Sequence, residues 1–270
     1  NFSQLQARVG DASTPVMRLT ASETMADLQK RTLSGKTRLE GDLPMLLTWF
    51  PVRNLSVGTG RANADGAFRT SWGADAAHSF AGKLSWGSVT GRTPGVDFAK
   101  FDGFADTNMT LARGQLMLRQ FNAYGSLNGQ QLAKQLFAAG RFDPRTGHAH
   151  LTQLVLRELD LAALKQAVKI TGIEDGDLEL EAKDVVHEPG QRTIGQVIRA
   201  QLRNGVVSGW PTDLNLKAAA QTELTWLEGG RFELRARSLS AGLLNRVDPR
   251  RLDADLRGEF IWNNRTGAWQ

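Results

Sequence analysis

Three acidic residues at every second position are the first candidates for chemistry in this chain. Asp177, Glu179 and Glu181 alternate with Leu178 and Leu180, and a β-strand turns alternate side chains to the same face. Some β-sandwich glycosidases present an acid and a nucleophile in this way. Those families carry the order Glu-x-Asp-x-Glu with Trp nearby, whereas this chain has Asp-x-Glu-x-Glu and no neighbouring Trp. We therefore expect a solvated outer face, and a carbohydrate-active β-sandwich is kept as an alternative.

Histidine is the next candidate for a site. His148 and His150 would share a strand face, but a catalytic metal site needs a third ligand, and neither His78 nor His187 has a spacing that supplies one. The chain has no Cys, which excludes disulfides, thiolate metal sites and cysteine nucleophiles. It also lacks the Gly-x-Ser-x-Gly elbow, the phosphate-binding loop and the His-Glu-x-x-His motif. The sequence therefore predicts a protein that is not an enzyme and has no metal or cofactor.

Charge and hydropathy limit which partners and which membrane segments the sequence allows. The 270 residues carry a net charge of +5, but the basic residues are dispersed along the chain, and there is one Tyr to interleave with them. Proteins that bind single-stranded nucleic acid usually combine basic residues with aromatic stacking platforms, so we expect no nucleic-acid partner. No run approaches the 18 apolar residues of a transmembrane helix. We expect the sequence to be an excised or processed piece of a longer protein, with any membrane anchor outside it.

Two long stretches of strict alternation carry the strongest structural signal. From Leu214 to Trp226 the even positions are small or apolar, and the odd positions are polar except for Ala219. From Leu252 to Trp262 the same pattern returns. Each stretch predicts a long strand with one apolar and one solvated face. The first would span about 40 Å, well beyond the usual five or six residues of a strand.

Similar rows recur more weakly earlier in the chain, and together they define an apolar face that something must cover. The candidates for lining this face are Phe68, Trp72, Leu84, Trp86, Leu178, Leu180, Leu214, Leu216, Leu224, Trp226, Phe232, Leu234, Leu252, Leu256, Phe260 and Trp262. One interpretation is a closed core. The other is a half-open groove that holds lipid acyl chains, because large apolar surfaces rarely stay bare without a ligand or partner.

Between the rows, local patterns predict short elements and turns. Apolar spacing of three or four residues predicts helices over 22–31, 130–139 and 161–169, the last capped by Asp160. The segment 192–203 fits a helix or a strand, and we favour the strand. Hairpin turns are predicted at 63–66 and at 204–205, and a β-bulge is predicted within 114–127.

These patterns resemble the AsmA-like superfamily of Gram-negative envelope proteins, which includes AsmA, TamB, YhdP and YdbH. The resemblance lies in three segments: 159–180, where a strand leads through a short capped helix to a Gly-led strand; the Gly-Lys-Leu-Ser-Trp row at 82–86; and the closing meander with Leu-x-Gly-x-Phe at 256–260. It implies a long curled β-sheet with an apolar inner groove. It also implies a location in the periplasm, anchored at the inner membrane, and a role in moving phospholipid or supporting envelope assembly. Since this chain lacks the N-terminal membrane helix of that family, the resemblance implies that it is an internal or C-terminal segment.

We therefore predict a mainly β fold. A long antiparallel meander would form a curled, groove-bearing sheet resembling a β-taco, with two or three short helices, in a single elongated domain over 1–270 with weak boundaries near 110 and 190. The predicted function is non-enzymatic phospholipid transport or envelope biogenesis, with acyl chains, and possible envelope proteins, as partners. The first alternative is a structural protein with a closed core, similar to the type II secretion N protein.

Overall fold

The computed structural model describes residues 2–10, 15–49, 51–93, 96–168, 171–189, 193–209, 211–219, 222–227 and 231–263. Over these residues the chain forms one antiparallel sheet of 15 strands with two short helices. The prediction of a mainly β fold built as a long meander is confirmed.

The strands are β1 (Phe2–Gly10), β2 (Pro15–Asp27), β3 (Thr32–Asp42), β4 (Ser56–Ser71), β5 (Ala77–Thr93), β6 (Val96–Ala112), β7 (Gln115–Leu127), β8 (Gln130–Phe142), β9 (Ala149–Asp160), β10 (Ile173–His187), β11 (Thr193–Val207), β12 (Thr212–Ala219), β13 (Thr222–Leu227), β14 (Arg231–Asn245) and β15 (Arg251–Asn263). The helices are α1 (Leu43–Trp49), between β3 and β4, and α2 (Leu161–Leu164), between β9 and β10.

Strand order in the sheet follows the order in the chain. Each strand from β1 to β12 pairs with the next one. β12 and β13 lie end to end in one position, because both pair with β11 on one side and with β14 on the other. The described sheet therefore has fourteen positions, with β1 and β15 at its two edges. The single strand expected from Leu214 to Trp226 is thus two strands in line, and Gln221 between them lies outside the described residues.

The strands bend so that their two ends approach each other. The ends that carry α1 and α2 form one margin of the sheet, and the turn between β8 and β9 belongs to the opposite margin. Arg53, which follows α1, donates its backbone N–H to Pro144 in that turn at 3.3 Å and its Nη1 to the Thr146 carbonyl at 3.4 Å. In a flat sheet these points would be more than about 40 Å apart, since β8 alone has 13 residues. The sheet is therefore a curled trough with one concave face.

β-Bulges fall inside the strands and explain two wrong predictions. The helices expected over 22–31 and 130–139 are absent, because these segments form β2 with its following turn and β8. Between Ser22 and Met25, β2 has one extra residue relative to β3, and between Gln131 and Leu136, β8 has two extra residues relative to β7. A bulge bends a strand and interrupts the regular period of two in its apolar positions, which can imitate the spacing of a helix. The bulge predicted within 114–127 is confirmed, since the pairing of β7 with β8 shifts between Leu118 and Phe121.

The other local predictions have mixed outcomes. The segment 192–203 lies largely in β11, so the strand interpretation is confirmed for the described residues from 193 onward. The hairpins at 63–66 and 204–205 are wrong, because both segments lie inside strands. Asn204 has a positive φ of 51° beside a register shift, so this turn-like pair marks another bulge.

Asp160 caps α2 as predicted. Its Oδ1 accepts the Ala163 N–H at 2.9 Å, which satisfies one of the free donors at the start of the helix. The helix is shorter than the predicted 161–169, because regular α structure ends at Leu164 and turns continue to Ala167.

A pair of facing glycines sets how closely two strands can approach. Gly66 in β4 and Gly82 in β5 are directly opposite on the concave face. A Cβ atom on Gly82 would lie 2.2 Å from the Asp65 carbonyl oxygen, and one on Gly66 would lie 2.4 Å from the Ala81 oxygen. Curling crowds the side chains on the inner face of a sheet, and this pair relieves the crowding at that point.

We expect Gly82→Ala to destabilise the protein by about 1–3 kcal/mol, the usual cost of forcing a methyl group into a packed site. Gly58→Ala, on the same pair of strands, is the control, since the nearest atom to its new methyl group is a Thr90 hydroxyl at 3.3 Å. Urea unfolding of both variants measures the difference. Equal stability of the two would contradict the assigned close approach.

Candidate functional site

An unbroken row of Leu and Ala crosses the whole concave face. Each residue of the row is paired directly opposite a residue of the row on the neighbouring strand. The row therefore has one residue at each of the fourteen positions of the sheet. It runs through Ala7, Leu19, Leu39, Ala64, Leu84, Ala105, Ala123, Leu136, Leu156, Leu180, Ala200, Ala218, Leu239 and Leu256. At about 4.8 Å between strands, this central row is roughly 60 Å long.

Two further rows flank the central row and are equally free of charge. One runs through Leu5, Ala21, Thr37, Gly66, Gly82, Thr107, Phe121, Ala138, Leu154, Ala182, Val197 and Thr222. The other runs through Val9, Met17, Gly41, Ala62, Trp86, Gly103, Gly125, Ala133, Leu159, Leu178, Leu202, Leu216, Ala241 and Ala254. These three rows contain no Asp, Glu, Lys or Arg.

The convex face has the opposite character. Arg38, Asp65, Lys83 and Asp106 follow one another across β3 to β6 as directly opposed pairs. Opposite charges at paired positions stabilise a sheet modestly. The alternation in sequence therefore separates an uncharged inner face from a charged outer face, as the sequence predicts for single strands.

Exposure along the central row changes from its middle to its ends. Ala105 is fully buried and Ala123 is 7% exposed, whereas Leu256 on the last strand is 41% exposed. On the first strand, Leu5 of the flanking row is 53% exposed. The chain itself thus covers the middle of the trough, and the apolar floor is open to solvent at both ends.

Aromatic side chains cover part of the floor near the α1 margin. The rings of Trp86 and Phe101 have centroids 5.6 Å apart, and Phe98 meets Phe101 edge to face at 6.2 Å. Gly103 lies directly beneath Trp86, because a Cβ atom there would be 2.6 Å from the indole ring. The glycine therefore allows the ring to lie flat on the sheet.

A second cover is formed by α2 and the turn that follows it. Leu161 and Val168 belong to a buried cluster that extends over β10, β11, β12 and β14. Side-chain bonds hold this cover in place: Lys165 pairs with Glu174, and Gln166 bonds both Asn128 and Gln130 at 2.5 Å. Hydrogen bonds from Lys165 and Ser208 lower the pKa of Glu174. The core is closed at this position.

The predicted lining residues fall into three groups. Leu84, Leu180 and Leu256 lie in the central row, and further concave positions are occupied by Phe68, Trp86, Leu178, Leu214, Leu216, Leu252 and Phe260. Trp72 lies in the turn after β4, 44% exposed, and is outside the rows. The backbones of Leu224, Trp226, Phe232, Leu234 and Trp262 lie in β13, β14 and β15, but their side chains are outside what the structure describes.

The small residues of the rows were not predicted from the sequence. Ala105, Ala123 and Ala200 lie at the centre of the floor, and all three are buried. A single strand gives no reason to choose an Ala as a lining residue. Only the register between strands brings these residues into line with Leu84 and Leu180.

The acidic triplet of β10 lies on the convex face among arginines. Glu179 is 6% exposed, and its carboxylate is 2.8 Å from Arg199, 3.3 Å from Arg203 and 3.8 Å from Arg157. The 2.8 Å contact lacks the alignment of a hydrogen bond. Glu181 has a looser contact, 3.8 Å from Arg157. The expected solvated face is therefore wrong for Glu179, because neighbouring guanidinium groups cover this carboxylate.

We expect Glu179→Gln to destabilise the protein by about 2–3 kcal/mol. Removing one partner of a buried ion pair typically costs 3–5 kcal/mol, and the partly exposed arginines reduce that cost. Glu181→Gln is the matched control on the same strand face, with an expected loss below about 1 kcal/mol. Thermal unfolding at low ionic strength compares the two variants, and a larger effect of Glu181→Gln would refute the assigned network.

The histidines do not form a metal site among the described residues. His150 Nε2 is 3.7 Å from Asp184. His148, His150 and His187 line one depression of about 470 Å³ beside the β8–β9 turn.

Comparisons with known proteins add no family assignment. A scan against protein-family models, a search of curated proteins and a search of solved structures each gave no significant match. Within the described part of the chain, neither helix has the length and apolar character needed to cross a membrane.

Proposed function

We propose that the protein binds phospholipid acyl chains along its concave face and serves lipid transport or envelope biogenesis. One observation carries the proposal: three adjacent rows on the concave face contain no charged residue, and this face has exposed apolar side chains on its outermost described strands, Leu5 on β1 and Leu256 on β15. Resemblance to AsmA-like proteins supports a periplasmic location, with an inner-membrane anchor outside this segment.

The length of the trough fits phospholipid acyl chains. Half of a bilayer core is about 15 Å thick, which approximates the length of one acyl chain. A central row of roughly 60 Å would therefore hold about four chains end to end. Each buried methylene contributes about 0.8 kcal/mol, so contacts over part of one chain suffice for binding. The mechanism is passive: acyl chains lie along the floor while their head groups remain in water.

A structural role with a closed core is the second candidate. The cluster beneath α2 favours it, since Leu161 is 2% exposed and Leu180 is 7% exposed. In that role, the exposed ends of the rows would pack against other envelope proteins instead of lipid.

Lipid extraction and native mass spectrometry of the purified chain test the proposal. Co-purified phospholipid, and transfer of a fluorescent phospholipid between vesicles that increases with protein concentration, are the expected results. A lipid-free protein that neither binds an acyl probe nor accelerates transfer would exclude the transport function and favour the structural role.

A further inference from the structure

A shallow depression on the convex face is lined by two arginines, Arg69 from β4 and Arg119 from β7. It extends over β3 to β7 and has a volume of about 500 Å³. Small residues form its floor: Ala67 and Ala81 are directly opposite each other in the strand pairing, and both are exposed. The short side chains leave space above the sheet for a ligand.

A β-bulge in β7 supplies the second arginine. In the pairing of β6 with β7, Arg119 is an extra residue between the positions of Leu118 and Gln120, which both have partners. Bulges are common beside functional sites, where they change the direction of a side chain. The backbones of Arg69 and Arg119 are three strand spacings apart, about 14 Å, so their long side chains can approach one small ligand from opposite sides.

The depression has a net positive charge. No Asp or Glu is among its lining residues, and neither Arg69 nor Arg119 takes part in an ion pair within the described part of the chain. The neighbouring Arg113 differs, since it pairs with Asp75 at 2.7 Å. The two guanidinium groups of the depression are therefore available to an anion.

The nearest acidic residues of the convex face do not neutralise this charge. Asp65 and Asp106 each lie two residues along the strand from the lining of the depression. Lys83 is directly opposite both of them, so this lysine offsets part of their charge. The depression stays positive relative to the mixed charges around it.

Two uncharged side chains add hydrogen-bonding groups. Asn108 and Thr110 line the depression, and neither side chain makes a hydrogen bond to another described residue. The Ser79 hydroxyl is not counted with them, because it already donates to the Arg69 carbonyl oxygen at 3.2 Å. An amide, a hydroxyl and two guanidinium groups can all donate hydrogen bonds, which suits a ligand with several acceptor oxygens.

We propose that this arginine depression binds a phosphate monoester. Such a group has a charge of about −1.5 to −2 at pH 7, which balances Arg69 and Arg119. Arginine binds phosphate through two parallel hydrogen bonds, and the tetrahedral oxygens can be reached from several sides, whereas a carboxylate offers two oxygens in one plane. The proposal does not depend on lipid transport, because the acyl chains are assigned to the opposite face of the sheet.

Calorimetric titration with glycerol 3-phosphate, in a buffer without phosphate, tests the proposal. We expect saturable binding that is at least tenfold weaker in Arg69→Gln and in Arg119→Gln. Arg38→Gln is the matched control, because it removes the same charge from the convex face outside the depression, where Arg38 pairs with Glu40. Its affinity should stay within about twofold of the parent protein.

Ala81→Leu separates the depression from diffuse surface charge. This substitution keeps both arginines and fills the floor between them, so we expect at least a tenfold loss of affinity at unchanged net charge. Because Ala81 is exposed, the fold should be retained, and thermal unfolding checks this. Absence of binding, equal weakening by Arg38→Gln, or full binding by a folded Ala81→Leu variant overturns the proposal.

Vesicles distinguish a soluble ligand from a lipid head group. Phosphatidic acid has a monoester phosphate and phosphatidylglycerol a diester, so vesicles of phosphatidylcholine with either lipid are compared at equal charge. Binding to phosphatidic acid vesicles that requires Arg69 and Arg119 assigns the site to a lipid head group, and binding of glycerol 3-phosphate alone assigns it to a soluble monoester. Titration of the same variants with a fluorescent fatty acid should show no change, which keeps this outcome separate from the proposed transport function.

Discussion

Replacing Leu256 by Asp is expected to weaken acyl-chain binding at least tenfold while leaving the fold intact. Leu256 ends the central row and is 41% exposed, so the carboxylate can reach water in the empty protein. When an acyl chain lies over it, that water is displaced. Burying a polar group without a partner costs about 1–3 kcal/mol, and 1.4 kcal/mol corresponds to a factor of ten.

Leu244→Asp is the matched control for this effect. Leu244 is 39% exposed on the neighbouring strand β14, but it lies on the convex face, opposite Arg251. Titration with a fluorescent fatty acid compares the two variants at equal protein concentration. Equal binding by both would show that the concave position has no special role, and the lipid proposal would lose its main support. Circular dichroism confirms that both variants are folded.

Leu216→Asp is expected to cost about 4 kcal/mol or more in the free energy of unfolding. Leu216 is 9% exposed and belongs to the cluster beneath α2, between Leu202 and Ala241. The substitution removes buried apolar volume, which alone costs about 2–5 kcal/mol for such a side chain, and it adds an unpaired carboxylate. Native domains are stable by about 5–15 kcal/mol, so this variant is expected to be largely unfolded or easily proteolysed.

Asn215→Asp introduces the same charge one residue away on the convex face. Its Oδ1 accepts the Asn204 N–H at 3.1 Å, and the aspartate oxygen can accept the same bond. We expect its stability to stay within about 0.5 kcal/mol of the parent protein, as for most surface changes. If Leu216→Asp unfolded at the same urea concentration as Asn215→Asp, the row at this position would be open to water rather than closed.

The contrast between Leu216 and Leu256 separates the two interpretations left by the sequence. Both residues belong to alternating stretches, and periodicity alone predicts the same environment for both side chains. Their environments differ because α2 and the bend of the sheet cover the middle of the trough and leave the last strand bare. A closed core and an open groove are therefore two parts of one concave face.

Local periodicity predicted single strands well and their partners not at all. The stretches 214–226 and 252–262 alternate strictly, and their described residues are extended with the expected faces. Helix-like spacing misled at 22–31 and 130–139, because bulges add residues and the pairing on both sides overrides local preference. The central row could not be predicted from the sequence, since Ala105 and Ala123 are placed in it only by their strand pairing with residues far away in sequence.

The contact of Arg53 with the β8–β9 turn has a mechanical consequence. Two hydrogen bonds of 3.3 and 3.4 Å to Pro144 and Thr146 join the opposite margins at this point, whereas the pairing between neighbouring strands runs along the length of the trough. Moving these two margins apart would therefore break weak hydrogen bonds such as these and leave the pairing between neighbouring strands intact. We therefore expect the trough to be stiffer along its length than across it, where the two margins can move apart.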